Sequence, residues 1–388
     1  MEFMSEVLKI LEGALKANGS LAANYGGLLA DKLASTGEVH QARLIREQLA
    51  RAPKALAFAQ DASRGVSLGQ VPLDGDSRLN TVDVSLPSLD GLSLFLPSAI
   101  QVRVEEFLQS IRHHDELAKA GAALPARLFV YGAPGTGKTM MARWIAASLN
   151  LPLLTVRCDT LVSSLLGQTS RNLRRVFDYA QQAPSILFLD EFDALAAARG
   201  NERDVGELQR VVIALLQNMD ALPDNTILIA ASNHEQLLDR AVWRRFGFRI
   251  PMPLPDKELR LRLWQDMLGS FAPKKLNWNE LAALSEGTTG AVIQQVCLDT
   301  KRSTILQGDK VVEDAALFRR LGLMMRLAEG VYFSDQDDEI RWLRAWMPER
   351  FSLRVLARLY GKSVRQIMTM TGGVTEDGNE EGEANASS

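Results

Sequence analysis

Between residues 126 and 254 short apolar runs alternate with longer segments of helical period. The runs are ARLFVYG, PLLTVRC, SILFLDE, TILIAASN and FRIPMPL, each continuous in the way of strands buried on both faces of a parallel sheet. Between them, segments such as TSRNLRRVFDYAQQ and VGELQRVVIALLQNMD repeat their apolar residues with helical period. Strands alternating with helices predict a doubly wound α/β layer. Before it, Val7, Leu8, Leu11 and Leu15, then Leu44, Ile45 and Leu49, predict two or three short helices, a small domain or an oligomerisation collar. After it the period is helical from DKELRLRLWQDML to about Leu327 and again from about Asp335 to Met370. The expected organisation is a helical region over 1–59, a linker over 60–95, the α/β domain over 96–255 and a helical lid over 256–330. A helical C-terminal region over 331–370 and a disordered acidic tail over 371–388 complete it.

Composition narrows the function classes. The 388 residues hold 44 Lys and Arg against 47 Asp and Glu, a net charge of −3, so any nucleic-acid contact is local rather than driven by a global basic field. Cys158 and Cys297 are the only cysteines and histidines number 4, which leaves neither a disulfide framework nor a Cys/His zinc site. No apolar run approaches the length that spans a bilayer, and the opening MEFMSEVLKILEGALK carries acids where a targeting signal carries a basic stub. The expectation is a cytoplasmic protein with no membrane partner.

The chemistry begins at GAPGTGKT, residues Gly132, Ala133, Pro134, Gly135, Thr136, Gly137, Lys138 and Thr139, which fits G-x-x-x-x-G-K-[ST] between a strand and a helix start. Gly135 and Gly137 permit backbone torsions that turn N–H groups toward phosphate oxygens at the positive end of the helix. Lys138 then offers a charge to the β- and γ-phosphates, and the Thr139 hydroxyl is a ligand for Mg²⁺. In SILFLDEFDAL, Asp190 ends a buried strand, where the same Mg²⁺ is its charge partner, so the expected metal ligands are Thr139 and Asp190. Glu191 is the natural group to deprotonate the attacking water, while Asp193 reads as a cap of the next helix. Asn233, at the end of TILIAASN, can hold water or γ-phosphate in line without competing for the metal.

Together with LLDRAVWRRF these motifs resemble the AAA+ ATPases over about Arg127 to Pro255, with the lid continuing to about residue 312. The resemblance implies a P-loop AAA+ parallel sheet with helices on both faces and an α-helical lid. It makes GAPGTGKT the Walker A motif, ILFLDE the Walker B motif and Asn233 sensor 1. It makes Arg245, ahead of Arg244, the arginine finger that completes a neighbouring subunit's site. A finger supplied in trans implies a homo-oligomeric, hexameric ring using ATP and Mg²⁺. The chain departs from the family where protein-threading members carry an aromatic before a glycine, since SSLLGQTS offers Leu165, Leu166 and Gly167. Gly247 and Phe248 replace the usual Asp and second Arg, with Arg249 one place on, and Ala291 and Val292 leave no sensor 2, as in the protein-remodelling clade. More narrowly, the chain is similar to bacterial AAA ATPases encoded beside subtilisin-like proteases, which implies a protease partner.

A second signal lies at 341–366, where RWLRAWMPERFSLRVLARLYGKSVRQ holds seven Lys or Arg against one Glu. Within it Ala357, Gly361 and Ile367 have the spacing of a helix-turn-helix that would turn Ser363, Arg365 and Gln366 to a DNA groove and Arg354 and Arg358 to phosphate. Two functions follow: an ATP-driven ring that remodels a protein client, contacted through Leu165 and Leu166, or an ATPase that assembles on DNA in the manner of transposition regulators and replication initiators. Ala291 and the neutral overall charge favour the first.

Overall fold

The computed structural model describes residues 3–15, 19–50, 81–161, 166–196 and 205–372. Leu165, most of the expected linker and the tail from residue 373 lie outside them. The chain forms two compact units, Met1–Pro253 and Leu254–Ser388.

The first unit is built on a sheet of six strands: β1 (Asp83–Ser85), β2 (Arg127–Tyr131), β3 (Leu153–Arg157), β4 (Ile186–Asp190), β5 (Ile227–Ser232) and β6 (Phe248–Pro251). Their order is β1-β3-β4-β5-β2-β6, and every pair is parallel except β1 with β3. Strand β1 falls inside the segment read from sequence as linker. Three residues on an antiparallel edge, with Asp83 and Ser85 exposed, carry too little apolar pattern to stand out.

Alternation along the strands divides the core. Leu128, Val130, Ile186, Phe188, Ile227 and Ile229 face one side, under the helices Ser98–Arg112 and Lys138–Leu149. Phe129, Leu187, Leu189, Leu228 and Ala230 face the other, under Leu166–Ala180 and Val205–Ala221. Both faces are therefore apolar, which is why the strands read as unbroken runs.

The N-terminal helices Met4–Leu15, Gly19–Ser35 and Val39–Ala50 pack on this unit, with the Asn24 side chain donating to the Gln182 carbonyl at 3.2 Å. The first is turned opposite to its hydrophobic pattern: Leu8, Leu11 and Leu15 are exposed, while Glu6, Lys9 and Gly13 are buried. Gly13 explains the orientation, since a Cβ there would stand 2.6 Å from the Ala22 backbone nitrogen. The second helix approaches along the glycine, and the apolar stripe is left outside.

In the second unit helices start on capping side chains: Asp256 accepts from the Leu259 N–H, Asn277 from Glu280, Thr289 from Val292, Asp335 from Asp338 and Ser352 from Val355. Trp264, fully buried, donates its indole N–H to Ser285 at 3.0 Å. The segments expected as lid and C-terminal region fold together here, because Trp342 and Trp346 stack at 4.9 Å against Gly322 of the helix Asp314–Ala328. Helices Leu353–Tyr360 and Val364–Met370 meet at Gly361, whose φ of 63° makes the turn.

Candidate functional site

Three strand ends build the site. At the end of β2, Gly132, Gly135 and Gly137 all take positive φ, of 147°, 77° and 101°. Gly132 is irreplaceable on space as well, since an added Cβ would lie 2.2 Å from the Met252 carbonyl oxygen. That closeness follows from the pairing of β2 with β6, where the Met252 N–H donates to the Tyr131 carbonyl at 2.7 Å. The loop ends on the first turn of the helix Lys138–Leu149, whose leading N–H groups have no partner within the helix and form an anion-binding end.

Lys138 is buried and folds its amine back on the loop, donating to the Gly132 and Ala133 carbonyls at 2.8 Å each. Burial pushes that amine down from its ordinary pKa, while the charges of Asp190, Asp193 and Glu235 oppose the shift. The amine is thus a cation held at the loop among carboxylates. Thr136 donates to the Ala133 carbonyl at 2.8 Å, while Ala133, Pro134 and Gly135 are exposed along the rim.

The end of β4 adds the carboxylates. Thr139 donates its hydroxyl to one Asp190 oxygen at 3.0 Å, and the other accepts the Glu191 N–H at 3.0 Å. Two adjacent hard oxygen donors open to solvent fit Mg²⁺, which takes one or two protein oxygens and completes its shell with phosphate and water. Glu191 is exposed and has a φ of 53°, a left-handed backbone at a residue that is neither Gly nor Asn.

Asn233, half-buried after β5, is joined to this edge by a residue whose role the sequence reading put elsewhere. Asp193, the first residue of the helix Asp193–Ala196, also reaches across the sheet: its carboxylate accepts the Ser232 hydroxyl at 2.8 Å and the Asn233 N–H at 3.2 Å. It ties the end of β5 to the segment after β4. The only sequence signal was an acid three residues beyond Asp190.

Arg245 stands apart from these groups. Its guanidinium engages both oxygens of Asp220, at 3.0 and 2.8 Å, and donates to the Ala241 carbonyl at 2.9 Å. That paired hydrogen bond, above all, holds the Asp220 carboxyl below its ordinary range. The neighbouring Phe246 is buried against Phe129, with ring centres 5.3 Å apart, and anchors the arginine's backbone. Arg249 lies over the Trp243 ring at 5.3 Å.

A loop of this backbone between a parallel strand and a helix, with a lysine, a hydroxyl and a carboxylate at its floor, defines a P-loop nucleotide hydrolase. Residues 128–254 match the family described as ATPase family associated with various cellular activities (AAA). An uncharacterized AAA family ATPase, y4kL, of Sinorhizobium fredii is 36% identical over 232 residues, 58% of this chain and 68% of that protein. The proteasome-activating nucleotidase of Methanoculleus marisnigri is 37% identical over 189 residues, 47% of this chain and 46% of that protein. The 26S proteasome regulatory subunit 6A of Schizosaccharomyces pombe is 30% identical over 254 residues, 62% of this chain and 58% of that protein. The chain belongs to the AAA family of ATPases and is an ATP hydrolase.

Proposed function

We propose that this ATPase works as a homo-oligomeric, hexameric ring that converts ATP hydrolysis into remodelling of a protein client. The observation that carries the catalytic half is the Thr139–Asp190 contact of 3.0 Å beside the Lys138 amine, which draws the ends of β2 and β4 into one phosphate and metal site. Gly132 to Thr139 would hold the triphosphate, and Thr139 and Asp190 would hold Mg²⁺, which would supply positive charge to the phosphates. Glu191 takes the proton of the attacking water, and Asn233, set by Asp193, keeps that water in line. Arg245 lies among Asp220 and Ala241 and makes no contact with Lys138, Thr139 or Asp190 among the described residues, which suits a group serving the next subunit's γ-phosphate.

For the load, two relatives are named for the proteasome, one as its activating nucleotidase and one as its regulatory subunit, and this supports a protein client. The basic segment 341–366 weighs the same way. Arg350 pairs with Glu280 and Asp314, Arg358 with Glu313 and Lys362 with Asp337, while Arg344 donates to the Pro348 and Phe351 carbonyls. Its aromatics Trp342, Trp346 and Phe351 are stacked on one another. Those charges and rings serve the fold, which leaves Arg341, Arg354 and Arg365 for DNA.

The test is the ATPase rate of the full chain alone, with an unfolded protein and with double-stranded DNA, each at two ionic strengths. Stimulation by the unfolded protein supports remodelling. Salt-sensitive stimulation by DNA alone, lost on substituting Arg354 and Arg365, overturns it in favour of the DNA reading.

A further inference from the structure

The start of β2 carries a charge that packing does not explain. Strand alternation puts Arg127 on the face of Phe129, the face covered by the helix Val205–Ala221 and by Phe246. The Ala126 N–H donates to the Asp224 carbonyl at 3.0 Å, so this strand start lies against the loop that follows the helix. Arg127 is 6% exposed, and among the described residues its guanidinium has neither a hydrogen bond nor an ion pair. A buried cation without a bonded partner is costly, and an apolar side chain of like size would serve the packing better.

Two carboxylates lie within its electrostatic reach. Burial pushes the Arg127 pKa down, the charges of Asp220 and Asp224 oppose that shift, and the charge of Arg245 adds to it. Asp220 is already engaged, since Arg245 holds both its oxygens, at 3.0 and 2.8 Å. Two guanidiniums thus compete for one carboxylate, and only one of them bonds to it.

We propose that Arg127 is a positioning residue for Arg245: by repelling that guanidinium and taking over Asp220, it lets Arg245 leave its own subunit for the neighbour's γ-phosphate. The inference rests on the reading of Arg245 as a finger given above. When Arg245 departs, Asp220 keeps a cation beside it and the buried Arg127 gains a partner, so the two arrangements lie close in free energy. Without Arg127, departure breaks a two-point ion pair with only water to replace it. The loop Gly132–Thr139 stands at the other end of β2, so the effect falls on the finger rather than on nucleotide contacts.

Two measurements on the full chain test it. Phenylglyoxal labelling without nucleotide, read at Arg245 by peptide mass spectrometry, reports how far that guanidinium is free of Asp220. Arg127→Met, which keeps most of the bulk and removes the charge, should slow this labelling about threefold or more, while Arg127→Lys should label like the parent. Arg127→Gln takes its place should methionine disturb the strand. In ATPase assays at protein concentrations that saturate assembly, Arg127→Met should lower kcat about tenfold at unchanged KM. In the Asp220→Asn background, where the clamp on Arg245 is already weakened, the same substitution should change kcat less than about twofold. Equal labelling of parent and Arg127→Met, or the same kcat loss with and without Asp220→Asn, overturns the proposal. Undiminished turnover in Arg245→Ala overturns the finger itself and this inference with it. A defective Arg245→Ala beside an Arg127→Met that labels and turns over like the parent overturns this inference alone.

Discussion

Glu191 combines an exposed carboxylate with a left-handed backbone, an arrangement costing on the order of 1–3 kcal/mol that persists only where the surroundings impose it. Its N–H is drawn onto Asp190, so the strain fixes the angle between the acid proposed to face the metal and the one proposed to face the water. Glu191→Gln keeps size and backbone but removes the base. Fluorescent ATP analogues should bind it as they bind the parent, while turnover falls by roughly 10²–10⁴-fold; undiminished hydrolysis would remove Glu191 from the mechanism. Asp193 acts one step further back, through its two hydrogen bonds to the end of β5. Asp193→Ala should lower kcat about tenfold or more at little change in KM, with Asp193→Asn recovering much of it because an amide oxygen still accepts both bonds. That Lys138, Thr139, Asp190 and Glu191 stand close together was legible in the sequence, because one motif and one strand end carry them. Asp193 was not, because its partners are 39 and 40 residues away and only strand order brings them near.

Among the elements, helices and strands were legible wherever periodicity and burial agree. The helix Met4–Leu15 shows the limit: spacing announces the helix, but which face is covered depends on Gly13 meeting the Ala22 backbone, a contact no pattern encodes. The helix Asp314–Ala328 makes the same point with a measurable consequence. A Cβ at Gly322 would stand 2.6 Å from the Trp346 ring and 3.0 Å from Trp342, and two stacked indoles have little freedom to yield. Gly322→Ala gains helix propensity of about 1 kcal/mol yet should lose a net of roughly 1–3 kcal/mol through overpacking. Urea unfolding followed by tryptophan fluorescence reads it directly; a stabilised variant would show that the rings move aside. Cys297, in the neighbouring helix Gly290–Leu306, has its thiol pushed up to about 12 by burial, so it should react with thiol reagents only on unfolding.

At the scale of the whole molecule the arginine decides whether one chain suffices. Within its own subunit Arg245 spends its donors on Asp220 and Ala241. In the proposed ring a complete site needs two chains, one giving Lys138 and Asp190 and the other Arg245, released from Asp220. Specific activity should rise with protein concentration as the ring assembles. Lys138→Ala and Arg245→Ala should each be nearly inactive alone, the second losing roughly 10³–10⁵-fold if its role matches other arginine fingers. Mixed after dissociation and reassembly, they should regain activity, because interfaces form in which an intact Lys138 faces an intact Arg245. A finger acting within its own chain predicts the opposite: every chain in the mixture carries one defect, and the mixture stays as inactive as its parts.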